Sequence, residues 1–321
     1  MRLLATISRP EFLPANSASL IIGISWGINP PSDLIWGLGI PATLVFVIVT
    51  LVAAFGAQVN TMSDYELDLR DSRKKELVKA MGSFGEGRLK GVMIIELLLS
   101  LAFMLILLQV QGKPALLLIW IGGVFLAYAY SAPPLRLKAR SWLAVVAMLI
   151  VLSILPVSFV YHTFASVLDP FFLVFLLGQA LTVYGVIVPA EIRDYFGDKA
   201  MKTETFTVQL GLVKASLLGI LLLIFGGILC GAGIFLRLIY GPHPTLTAFL
   251  LFLVAAYYYA LGKYRKLYSL SKEYESREEG YRRSVEQSIV ELSAQNPRWI
   301  TLVTQTIVFV SLVLLVAKFL T

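Results

Sequence analysis

Asn60, Asp64 and Asp68 recur every fourth residue in the stretch Asn60-Thr-Met-Ser-Asp-Tyr-Glu-Leu-Asp68. On an α-helix this spacing stacks one amide and two carboxylates on nearly one face, a turn apart. Carboxylates so placed repel each other unless something positive lies among them. The Asp-Tyr-x-x-Asp pattern returns as Asp194-Tyr-Phe-Gly-Asp198, with Glu191 one turn before it. Hard oxygen donors without His or Cys suit Mg²⁺, which bridges carboxylates to substrate phosphates. The two acidic helix ends are therefore expected to face each other across a divalent cation. One carboxylate at a membrane boundary simply snorkels toward the headgroups. Two spaced pairs in matching positions argue for a metal site instead.

Basic residues supply the other half of a diphosphate site. Arg73, Lys74, Lys75 and Lys79 follow the first motif, Arg136 and Lys138 lie midway, and Lys199 and Lys202 follow the second. Each can equally be a determinant of topology. Where they do bind, they and Mg²⁺ neutralise a departing diphosphate, which is electrostatic catalysis of the phosphate-clamp kind.

The elements that must position these groups are apolar. The chain has 321 residues, 58% hydrophobic and 15% charged, whereas soluble domains are about 45–50% apolar and 25% charged. This composition means a polytopic, all-α integral membrane protein. Runs of spanning length fall near 12–29, 36–60, 90–111, 115–131, 142–161, 170–190, 215–237, 245–262 and 300–320. With the N-terminus cytoplasmic, nine spans place 24 of the 27 lysines and arginines on the inside, leaving only Lys113, Arg237 and Lys318 outside. That bias supports nine transmembrane helices with the C-terminus on the opposite side. It also accounts for the net charge of +7 without nucleic acid. No cleavable leader is expected, because Pro10 and Glu11 precede the first apolar run. The one cysteine, Cys230, excludes an intrachain disulfide and Cys-based metal sites. The two histidines fall in outer connections, so His-based chemistry is not expected.

Both acidic pentads end a span, run into a basic loop and reach a Phe-Gly or Leu-Gly step, Phe84-Gly85 and Leu210-Gly211. Two related four-helix units plus one added helix would produce this repetition. Residues 1–321 are taken as a single membrane domain. Its last cytoplasmic loop, 262–299, carries Tyr281, Val285, Ile289 and Leu292 at helical spacing, and an interfacial amphipathic helix is expected there. Glu96 and Gln179 either line a cavity or bond a neighbour, the latter being favoured for Gln179. Aromatic residues such as Phe125, Tyr128, Tyr184 and Tyr257–Tyr259 can shield a cation, although packing explains them more simply.

A largely intramembrane enzyme with a cytoplasmic Mg²⁺–diphosphate site fits a substrate with a charged head and a long apolar tail. A polyprenyl diphosphate has that form. Its ionisation yields an allylic cation that must be kept from water and offered one nucleophile.

The middle inner loop, Tyr130-Ser-Ala-Pro-Pro-Leu-Arg-Leu-Lys138, together with the two acidic motifs, resembles the UbiA-type superfamily of intramembrane prenyltransferases. The opening Ser8-Arg-Pro-Glu-Phe-Leu-Pro14, and Phe196-Gly-Asp-Lys-Ala200 followed by Thr207-Val-Gln-Leu-Gly211, are also similar to that family. The resemblance runs from about residue 8 to 211, in the expected order. It implies a nine-helix bundle with a central cavity open toward the cytoplasmic rim, and Mg²⁺-dependent prenyl transfer. Asn60, Asp64, Asp68, Asp194 and Asp198 would then be the Mg²⁺–diphosphate residues. Tyr130 and Lys138 would close on the diphosphate or steady the cation. Glu191 either completes the second acidic face or pairs with Arg193 or another neighbour. Thr61 departs from the Asn-Asp start that many members have, which leaves the subfamily and the acceptor open. A lipophilic, aromatic acceptor and a prokaryotic cell membrane are expected. The rival within the family is a terpene cyclase, in which the substrate's own double bond captures the cation. A secondary transporter is the rival outside it, disfavoured because the acids sit at span ends rather than at the bilayer midplane.

Overall fold

Long runs of Leu, Ile, Val, Phe and Ala leave the backbone no water to bond, so the chain satisfies its own amides as helices. The structure is a computed structural model that describes residues 2–10, 13–28, 34–69, 74–200, 203, 205–241 and 244–319. Among these there is no strand. In chain order the helices are α1 (Arg2–Ser8), α2 (Leu13–Gly27), α3 (Leu34–Asp68), α4 (Lys75–Phe84), α5 (Glu86–Gln111), α6 (Ala115–Ser131) and α7 (Trp142–Leu149). They continue as α8 (Leu155–Phe164), α9 (Pro170–Ala200), α10 (Phe206–Leu210), α11 (Leu212–Ile239), α12 (Leu250–Ser276), α13 (Glu279–Ala294) and α14 (Asn296–Phe319). Seven helical stretches among the described residues are long and apolar enough to cross a membrane, and α6 is a shorter apolar helix.

Contacts divide the chain into two compact units, Met1–Lys138 with Leu155–Ser166, and Ala139–Ile154 with Val167–Thr321. The division falls inside one helical stretch. Between α7 and α8 the turn Ile150–Ile154 is a π-helix, immediately before Pro156. Proline has no N–H to continue the ladder, and a π turn is one of the ways a helix absorbs that loss.

In the first unit α3 packs on α5 and α6, and α2 on α8. Ile7, Phe55, Val59, Ala80, Met81, Leu89 and Met93 form a buried cluster that joins α1, α4 and α5 to α3 near its acidic end. In the second unit α9 and α11 approach so closely that a Cβ on Gly178 would lie 2.4 Å from the Cys230 amide nitrogen. Cys230 is fully buried at this contact, so its size explains it.

Pro189 interrupts α9 just before its acidic end. The missing N–H would orphan the carbonyl of Gly185, but Tyr264 of α12 donates its hydroxyl to that oxygen at 2.8 Å. A buried tyrosine thus repairs the helix where proline breaks it.

The short helices that follow the two acidic ends finish alike. Gly85 ends α4 at φ 87°, ψ 139°, and Gly211 ends α10 at φ 82°, ψ 158°. Both lie in backbone space that favours glycine, and each starts the next long helix. The Phe84-Gly85 and Leu210-Gly211 steps are therefore the same turn in three dimensions. The polar stretch after Gly262 is mostly helical: α12 continues to Ser276, and α13 buries Val285, Ile289 and Leu292 while Tyr281 stays exposed.

Candidate active site

Carboxylates in the last turns of a helix oppose the partial negative charge of its C-terminus, at about 0.3–1 kcal/mol each. Asp64 and Asp68 sit in that position on α3, and cations from elsewhere in the first unit answer them. Lys138 Nζ donates to Asn60 Oδ1 at 2.8 Å and to Asp64 Oδ2 at 2.5 Å. Arg136 Nη2 lies 3.2 Å from Asp64 Oδ1, and Lys74 Nζ 2.6 Å from Asp68 Oδ1. The hydroxyl of Ser131, at the end of α6, donates to Asn60 Oδ1 at 2.8 Å.

Burial ranks these contacts. The side chains of Lys138 and Asp64 are 16% and 14% exposed, whereas Arg136 and Lys74 are 39% and 45% exposed. Lys138–Asp64 is thus the dry pair, where charge interacts most strongly. Burial pushes the Lys138 ammonium below the ordinary lysine range, while the Asp64 charge and hydrogen bond pull it back up.

The loop that delivers these cations is specific in shape. Arg136 has φ 39°, the left-handed region that costs a non-glycine residue about 1–2 kcal/mol. Its N–H bonds the Ala132 carbonyl at 2.9 Å and its guanidinium meets Asp64, and together these hold it there. Tyr130 is half-buried, one residue before Ser131. Lys75 and Lys79 are exposed on α4, and Arg73 lies outside the described residues. Thr61 is 2% exposed and bonds the Ala57 carbonyl of its own helix at 3.0 Å. The hydroxyl is therefore spent on backbone rather than turned toward the acidic face.

The acidic end of α9, in the second unit, is held differently. Asp194 meets its chain neighbour Arg193, Nε to Oδ1 at 3.1 Å, with both side chains more than a third exposed. Asp198 lies half-buried one turn further on. Glu191 accepts a hydrogen bond from Thr207 of α10 at 2.6 Å, and both its oxygens lie 3.4 Å from the Tyr184 hydroxyl. Of the two pairings open for Glu191, the structure thus takes hydroxyl neighbours, with Arg193 turned to Asp194. Lys199 stacks over the Tyr195 ring, 5.5 Å from its centre, and Lys202 lies outside the described residues.

Sequence reasoning missed Ser131, Thr207 and Tyr184 as partners. Ser131 stood inside the Tyr130–Lys138 run and Thr207 opened the Thr-Val-Gln-Leu-Gly run, so both were visible without a role. Tyr184 carried no signal beyond its spacing, two turns before Glu191. Glu96 bonds Gln58 Nε2 at 2.9 Å, and Gln58 also donates to Ser8. The buried Gln179 Oε1 has no hydrogen-bond partner among the described residues. Tyr257 bonds Thr182 at 2.6 Å, and Tyr258 is 76% exposed, in keeping with packing rather than cation shielding.

Among the described residues no three His, Cys, Asp or Glu side chains gather as a closed metal cage. Mg²⁺ is usually held by one or two carboxylates plus substrate phosphates rather than by an all-protein cage. At the end of α3 the oxygens of Asn60 and Asp64 already converge on one cationic nitrogen. The donor set fits a hard divalent ion.

The sequence profile of the UbiA prenyltransferase family matches residues 18–274. The chain belongs to this family. A lycopene elongase/hydratase from Haloarcula japonica is 29% identical over 208 residues, which is 65% of this chain and 67% of that protein. A solved structure of digeranylgeranylglyceryl phosphate synthase superposes with a TM-score of 0.64 at 17% identity, over 97% of this chain and 98% of that one. A UbiA homologue from Archaeoglobus fulgidus, bound to GPP and Mg²⁺, superposes with a TM-score of 0.62 at 17% identity, over 94% of this chain and 99% of that one. The UbiA fold is therefore shared along almost the whole chain. As a UbiA member it is a prenyltransferase-family enzyme and a membrane protein.

Proposed function

We propose that this chain moves a polyprenyl group from its diphosphate to a lipophilic acceptor, with Mg²⁺ as cofactor. The observation that carries this reading is the convergence of Lys138, Arg136 and Ser131 on Asn60 and Asp64 at the end of α3. Such a cluster of fixed cations and hard oxygens meets the needs of a diphosphate head. The residues that would hold Mg²⁺ are Asn60, Asp64, Asp68, Asp194 and Asp198. When bound, the ion supplies positive charge to the departing diphosphate. Lys138 and Arg136 bind the same phosphates, and Lys74, Lys75, Lys79, Arg73 and Lys202 add charge to the surrounding loops. Tyr130 closes on the head or steadies the allylic cation, and Glu191 positions the second acidic turn.

The reaction breaks the allylic carbon–oxygen bond, and the electron pair leaves with the diphosphate. A π bond of the acceptor supplies the electrons of the new carbon–carbon bond, and the acceptor then loses a proton. An aromatic acceptor meets this need. The name of the Haloarcula relative favours a second class, an isoprenoid hydrocarbon such as lycopene. We read α2 and α6 as crossing the membrane with the seven longer stretches, which gives nine spans. The charge bias supports a cytoplasmic N-terminus, an outer C-terminus, one domain and a site at the cytoplasmic rim of a prokaryotic cell membrane.

Purified enzyme should release diphosphate from a polyprenyl diphosphate only with Mg²⁺ and an acceptor, and Asp64→Ala and Asp198→Ala should abolish that release. Unchanged release in both variants would refute the site. A cyclic hydrocarbon formed without acceptor would replace the transferase reading with a cyclase. Parallel incubations with a phenolic acceptor and with lycopene decide the acceptor class.

A further inference from the structure

We infer that α13 and the end of α12, far from the acidic motifs in sequence, form a brace that sets the aim of Asp194 and Asp198. This rests on the reading of those aspartates as Mg²⁺–diphosphate residues. The acidic end of α9 needs support for the same reason as that of α3. Carboxylates a turn apart at a helix C-terminus repel each other and oppose the helix dipole. Pro189 also removes one hydrogen bond from the ladder of α9 just before this end.

The brace is built from the cytoplasmic stretch in which an interfacial amphipathic helix is expected. After Ser276 the chain turns sharply, tied by Arg277 N–H to the Glu273 carbonyl at 3.1 Å and by Arg282 Nε to the Arg277 carbonyl at 2.9 Å. It then returns as α13, which packs on α9 and α12 with Val285, Ile289 and Leu292 buried. Its apolar face is therefore used within the protein.

The contact reaches the motif itself. Tyr274 of α12 meets Phe196 edge-on, with ring centres 5.2 Å apart, and Phe196 meets Tyr195 at 5.3 Å. The Arg282 guanidinium lies 5.6 Å from the Tyr274 ring centre and locks it from the α13 side. Phe196 is the central residue between Asp194 and Asp198. At about 100° per residue the two aspartates lie about 40° apart, and Phe196 lies about 160° from either. Tyr274 thus presses on the back of the turn whose front carries the carboxylates. A brace there fixes direction without touching substrate, so Tyr274 is a positioning residue.

The test uses the full chain and the Mg²⁺ dependence of diphosphate release from a polyprenyl diphosphate, with the phenolic acceptor or lycopene, whichever supports turnover. Loss of folded protein lowers the maximum rate but does not move the Mg²⁺ concentration at half-maximum. Tyr274→Leu should raise that concentration about 10-fold, the scale of one aromatic contact. Tyr274→Phe keeps the ring and should restore it to within about twofold. If Tyr274→Leu does not fold, Arg282→Ala carries the test, with an expected shift of about threefold in the same direction. Wild-type Mg²⁺ dependence in Tyr274→Leu, or in Arg282→Ala where that variant stands in, would overturn the brace. Loss of release in Asp198→Ala alongside unchanged dependence in Tyr274→Leu would remove the brace alone. Retained release in Asp198→Ala would remove the underlying site reading with it.

Discussion

Asp64 and Asp194 open the same Asp-Tyr-x-x-Asp pentad in the last turns of two long helices. Around Asp64 the chain gathers tertiary cations: Lys138, Arg136 and, for Asp68, Lys74. Around Glu191 and Asp194 the structure places two hydroxyls, of Thr207 and Tyr184, and a cationic chain neighbour, Arg193. Asp64 of the first motif thus meets buried opposite charge from a distant loop, whereas Glu191, a turn before the second, meets hydroxyls. A repeated sequence pattern does not imply repeated electrostatics. The first end is anchored by charges drawn from a distant loop, and the second combines hydroxyl contacts at Glu191 with an ion pair between chain neighbours at Asp194.

The comparison can be broken or sharpened by a graded series in the proposed prenyl-transfer assay. Asp64→Ala, which strips the charged cluster of its centre, should lower kcat by about 1000-fold or more. Lys138→Met should cost about 100-fold, because it removes a largely buried cation and leaves Asp64, among the described residues, with the more exposed Arg136. An effect no larger than that of Arg193→Ala would erase the distinction between the two ends.

Thr207→Val deprives the largely buried Glu191 of its shortest hydrogen bond, and a loss of about 10-fold is expected. Added salt should leave this loss unchanged, as befits a neutral contact, and a strongly salt-dependent loss would contradict it. Tyr264→Phe leaves the Gly185 carbonyl orphaned beside Pro189. Its cost should appear as about 1–2 kcal/mol in reversible unfolding of the detergent-solubilised protein, and an unaltered midpoint would show that the repair is dispensable. Arg193→Ala touches a pair whose side chains are both more than a third exposed. It should change rate by about twofold or less, with the difference vanishing at high salt.

Much of this was legible beforehand. The apolar runs, the acidic faces and the twin glycine steps depend on periods of a few residues within one helix or turn. Such short-range relations can be read from spacing, and Asn60, Asp64 and Asp68 do share the end of α3. Lys138 was also visible, through the run that begins at Tyr130. Its partners were not, because nothing local distinguishes it from Lys75 or Lys79 as the cation for Asp64.

What the sequence by itself determined is therefore the class of protein and the kind of chemistry: a helical membrane enzyme with paired hard-oxygen donors and nearby cations. Only the tertiary structure decided which cation meets which carboxylate, across 74 residues for Lys138 and Asp64. Only it showed that Tyr264 repairs the helix at Pro189, and that α13, with Val285, Ile289 and Leu292 buried, packs on α9. The physical reason is common to all three. Helical period fixes what shares a face along one element, whereas a pairing between elements depends on how their buried surfaces fit.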